Sequence, residues 1–119
     1  MAIRKKATVL IGIGLIISLF AGLAYGGTFM TGDKLFWDMK ECEKSDRGDT
    51  SAQPFKCGIY CGFVLGVFDS TTFRFKPPGG IKLAQGASIV YKFLKEHPER
   101  LHEPAYRLVI DAFKQAFQK

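Results

Sequence analysis

Residues 56–69 read KCGIYCGFVLGVFD, and the reading of this stretch decides the fold. Cys57 and Cys61 lie four apart, and Gly58, Gly62 and Gly66 follow the same spacing beside them. Polarity is low on every side, which predicts a helix buried at the centre of a small domain. Pro54 suits its first turn. Each glycine costs about 1 kcal/mol of helix propensity against alanine. Three on one strip therefore point to close packing by another backbone. A membrane-type GxxxG face is a second reading, but Lys56 and Asp69 bound too short a span for it. A strand over FVLGVF is the minor alternative.

Three amphipathic stretches surround this centre. GDKLFWDMKECEK (32–44) places Leu35, Phe36, Met39 and Cys42 on one helical face, with Thr31 or Asp33 as its cap. IKLAQGASIVYKFLKEH (81–97) aligns Leu83, Ala87, Val90, Tyr91 and Leu94. PAYRLVIDAFKQAF (104–117) aligns Leu108, Val109, Ala112, Phe113 and Ala116. SDRGDTSAQ (45–53) and TTFRFKPPGG (71–80) break the chain between them. The last two helices are predicted to form an antiparallel hairpin around HPERLHE (97–103). The expected fold is all-α, a small bundle of about four helices.

The chain opens with MAIRKK and continues as ATVLIGIGLIISLFAGLAYGG, with no acid before Asp33. A basic start, an apolar middle and a small-residue end make a secretory signal peptide over residues 1–24, cut after Ala24 or Gly26. An uncleaved anchor is the other reading, since about 20 apolar residues span a bilayer. The single mature domain is then 25–119, periplasmic or secreted. It keeps 14 basic and 11 acidic residues, a net +3. That balance, with no Lys/Arg cluster interleaved with aromatics, argues against a nucleic-acid partner. Membrane contact is expected only through the signal segment.

Three chemistries compete for the cysteines. Cys57 and Cys61 with His97 and His102 loosely match a zinc pattern, but the spacing between the pairs is too long and Pro98 separates the histidines. A catalytic Cys/His pair lacks anything to orient a base. A structural disulfide suits an exported small domain. Cys57 and Cys61 cannot pair with each other within an intact helix. Cys42 must take one of them; Cys61 is favoured narrowly, as the deeper anchor, with Cys57 the alternative. No metal, cofactor or catalytic residue is assigned.

Four segments together carry a resemblance: FMTGDKLFWDMKEC, CGFVLGVFD, PPGGIKLAQGASIVYKFLKEHPER and AYRLVIDAFKQAF. In this order they resemble the Rap/Tai family, the resistance-associated and type VI secretion amidase immunity proteins. The resemblance implies a compact, often dimeric all-α periplasmic domain, disulfide-stapled. It implies binding to a cell-wall amidase effector, whose cleft it blocks sterically with no chemistry of its own. Family members commonly carry two further cysteines where this chain has Lys76 and Lys119, which implies that one family disulfide is absent. A periplasmic chaperone or envelope structural protein without catalytic activity is the alternative. Partner contacts are expected on connections, first at Glu96, His97, Glu99, Arg100 and His102, then over Ser45 to Gln53.

Overall fold

Four helices form, three where apolar periodicity places them and one along the uniformly apolar stretch after Pro54. The structure, a computed structural model, describes residues 29–118. The expected signal peptide and Lys119 lie outside the described residues. Helix α1 spans Gly32–Asp46, α2 Pro54–Thr71, α3 Leu83–Glu96 and α4 Ala105–Phe117. Short 3₁₀ turns cover Thr72–Arg74 and Pro98–Arg100. Among the described residues there is no named strand and no helix long and apolar enough to cross a membrane.

Each helix begins for a local reason. Thr31 is the N-cap of α1, and its hydroxyl accepts from the Lys34 N–H. Pro54 opens α2 at a position where its missing N–H costs nothing. Gln85 reaches back from the third position of α3 to accept from the Lys82 N–H at 2.9 Å. The start of α4 is tied to the start of α1. The Ala105 N–H donates to Met30 O and the Gly32 N–H to Glu103 O, both at 2.9 Å.

One core joins all four helices. Leu35 and Met39 come from α1, Tyr60 and Val64 from α2, Val90 and Leu94 from α3, and Leu108, Ala112 and Phe113 from α4. The connection after α2 supplies a further buried ring. Phe75 is wholly buried among Phe68, Phe113 and Phe117, at centroid distances of 5.4, 5.1 and 6.1 Å. Gln118 Nε2 donates to Arg74 O at 2.9 Å, so a hydrogen bond holds the chain end against this connection.

Two expectations for α2 are corrected. The disulfide joins Cys42 to Cys57, with Cα atoms 4.8 Å apart, and Cys61 is a free thiol. Cys57 wins over Cys61 because α1 and α2 are joined by a short loop. The Glu41 carboxylate on α1 accepts from the Gln53 N–H at 2.9 Å, which ties the opening of α2 to α1 one residue from Cys42. The glycine strip is the second correction. Among the described residues, a Cβ on Gly58, Gly62 or Gly66 would meet nothing within 4 Å. The strip lies on the outer face of α2, with Phe55 80% and Leu65 42% exposed along it. The helix touches its three neighbours, and among the described residues nothing covers this apolar face.

Candidate functional site

The turn between α3 and α4 is braced by side-chain hydrogen bonds on both sides. His97 caps α3, stacks on Phe93 at 4.0 Å and donates from Nδ1 to the Phe93 carbonyl at 2.8 Å. Arg100 holds the other side. Its Nε and one terminal nitrogen donate to the two Glu103 oxygens at 2.7 and 3.0 Å, and the same terminal nitrogen reaches Asp111 Oδ2 on α4 at 2.7 Å. A planar guanidinium forked over two carboxylates fixes direction as well as distance. The hydrogen bonds from Arg100 hold the Glu103 carboxyl below its usual range, and the two acids raise the guanidinium further.

The five expected contact residues therefore divide. His97 and Arg100 are spent inside the turn. Glu96, Glu99 and His102 stand exposed on it, with Glu96 only loosely paired to Lys92 at 3.9 Å. The polar loop is exposed from Ser45 to Ser51, and Asp49 caps its own turn by accepting from the Ser51 N–H and hydroxyl at 2.9 and 2.7 Å.

A second feature lies at the α1–α2–α3 junction. A cleft of about 470 Å³ is floored by Met39, Cys42, Cys57, Cys61 and Ala87. Two of its lining residues are tied through Lys95 of α3, which donates to Glu43 of α1 at 3.0 Å and lies 4.1 Å from the Tyr91 ring centroid. The Tyr60 hydroxyl closes one side by donating to the Ala87 carbonyl at 2.6 Å, and burial pushes that phenol up. Among the described residues the one group of metal-ligand type is Cys42, Cys57 and Cys61. It includes neither histidine, and two of its sulfurs are bonded to each other, so the loose zinc pattern of Cys57, Cys61, His97 and His102 is not assembled.

Asp38 on α1 was not singled out by sequence. It is 6% exposed, and its Oδ2 is buried without a hydrogen-bond partner among the described residues. Burial pushes its carboxyl above the ordinary 3.8, against the pull of Lys34 and Lys56. An acid raised on folding loses stability as pH climbs from that ordinary value through the folded one. Asp38→Asn removes the penalty. In denaturant titrations from about pH 3 to 7 the variant should gain on the wild type as pH rises, whereas a constant difference would contradict this.

Exposed aromatic residues complete the surface. Trp37 is 66% and Phe73 78% exposed, besides Phe55 on the open face of α2. Phe55, Gly58, Gly62, Leu65 and Gly66 share one side of α2, whose other side carries Tyr60 and Val64.

The sequence profile of the family described as Rap1a immunity proteins matches residues 31–118, the whole four-helix domain. No curated protein and no solved structure gives a significant match to the chain. The profile begins at the Thr31 cap and runs through the end of α4, so the chain belongs to the Rap1a immunity protein family.

Proposed function

We propose that the chain is an exported immunity protein that binds a peptidoglycan amidase effector of a type VI secretion system and blocks its cleft sterically. The match to an immunity family over the whole helical domain carries this reading. The bridge supports export, because disulfides persist in oxidising compartments. The braced turn supports steric blocking, because a rigid projection loses little entropy on binding. Glu96, Glu99 and His102 make the contact, and His97 and Arg100 hold the turn in shape.

The test is a pull-down from periplasmic extract with the tagged mature protein. A retained amidase should lose its activity on peptidoglycan when the two are mixed. Glu99→Lys should then weaken binding about tenfold while leaving the fold intact. Retention of many unrelated unfolded proteins would favour a chaperone instead.

A second copy of the chain is the proposed occupant of the open face of α2. No charged residue lies between Lys56 and Asp69. A two-fold axis at Gly62 sets Gly58 of each copy against Gly66 of the other, and two smooth strips then meet. Gly62→Ala separates the possibilities by sign. The methyl group meets open space in one copy, so the monomer should gain about 1 kcal/mol of helix propensity. Dimer affinity, read by sedimentation, should fall about tenfold as the strips are pushed apart. A monomer at all concentrations would remove the dimer and leave the immunity reading standing.

A further inference from the structure

The sulfur atoms of Cys42, Cys57 and Cys61 all lie within 4.8 Å of one another, and Cys61 is a thiol beside the Cys42–Cys57 bond. Cys57 and Cys61 are one helical turn apart, so Cys42 faces two partners on the same stripe of α2. All three line the cleft, where side chains have room to turn.

We propose that Cys61 exchanges with this bridge, so that the protein exists as two disulfide isomers, Cys42–Cys57 and Cys42–Cys61. The Cys61 thiolate attacks Sγ of Cys42. The Cys42–Cys61 bond forms, the Cys42–Cys57 bond breaks, and Cys57 leaves as a thiolate. Cys57 then takes from solvent the proton that Cys61 gave up. One disulfide and one thiol stand on each side, so no outside oxidant or reductant is consumed.

The isomers differ in the thiol they display. Cys61 lies deeper on α2, where burial first and Asp46 second push its thiol up. It is a weak nucleophile there, and exchange is slow at neutral pH. Cys57 sits in the opening turn of α2, where the helix N-terminus favours a thiolate. It leaves readily and is the more reactive thiol once free. The charged and titrating groups lining the same cleft are Glu43, Asp46 and Arg47 from α1, Tyr60 from α2 and Tyr91 from α3.

The test labels the oxidised protein with N-ethylmaleimide at several pH values, followed by an acid quench. Chymotryptic cleavage after Tyr60 separates Cys57 from Cys61 for mass spectrometry. Label should appear on both cysteines. The rate on Cys57 should rise about tenfold per pH unit while Cys61 is mostly protonated. Cys61→Ser should take no label at either remaining cysteine, and Cys57→Ser should hold a Cys42–Cys61 bridge with no free thiol after denaturation. Label confined to Cys61 at every pH would overturn the proposal, and so would two free thiols in folded Cys57→Ser. If Cys57→Ser does not fold, the wild-type labelling pattern decides alone.

Discussion

Cys42→Ser is expected to lower stability by about 3 kcal/mol, since the bridge closes a loop of roughly 15 residues in the unfolded chain. In a domain of this size each kcal/mol moves the melting temperature by about 4–8 °C, so the loss should be roughly 15 °C. Small domains bury too little surface to absorb that easily. Reductant should bring the wild type down to the level of Cys42→Ser and leave the variant itself unchanged. Cys57→Ser should lose less, because Cys61 can take over the bond to Cys42. A wild type equally stable with and without reductant would show that the α1–α2 loop is already held, by Glu41 and its neighbours, without the bridge.

Legibility in the sequence followed periodicity. Helices α1, α3 and α4 have one apolar face each, and Leu35, Met39, Val90, Leu94, Leu108 and Phe113 are buried as that spacing predicts. Helix α2 has no such contrast. Uniformly apolar composition reads as burial all round, and it cannot say which side is left open. The bridge failed on a related point. Spacing narrows Cys42 to two partners, but the choice goes with a tertiary hydrogen bond from the Gln53 N–H to the Glu41 carboxylate that no pattern announces. Phe75 escaped because it stands among turn residues, yet it is wholly buried while Phe73, two residues away, is exposed. At the turn the sequence offered five polar residues but not their division of labour. Arg100 and Glu99 look alike as turn charges until Asp111, eleven residues beyond Arg100, is folded back against the guanidinium.

Gly32→Ala is expected to cost about 2 kcal/mol, the usual range for overpacking a closed contact. A Cβ there would lie 2.5 Å from Leu108 Cδ1, 2.7 Å from Leu101 O and 2.9 Å from Leu101 Cα. Leu108 can turn its methyl group aside. The Leu101 backbone cannot, because the Asp33 N–H donates to Leu101 O at 2.7 Å and the Gly32 N–H to Glu103 O at 2.9 Å. Relief requires the strap at residues 30–33 to lift from the turn, and both hydrogen bonds weaken as it does. The same turn carries Glu99 and His102, so the strain is transmitted to the proposed contact surface. Gly32→Ala should therefore lose stability and effector affinity together, whereas Glu99→Lys should lose affinity alone. Gly62→Ala, the same chemical change on the open face of α2, should raise monomer stability instead. Denaturant unfolding of the three variants beside their effector affinities separates these effects. If Gly32→Ala matched the wild type in both measurements, the strap would not be what holds the turn in position.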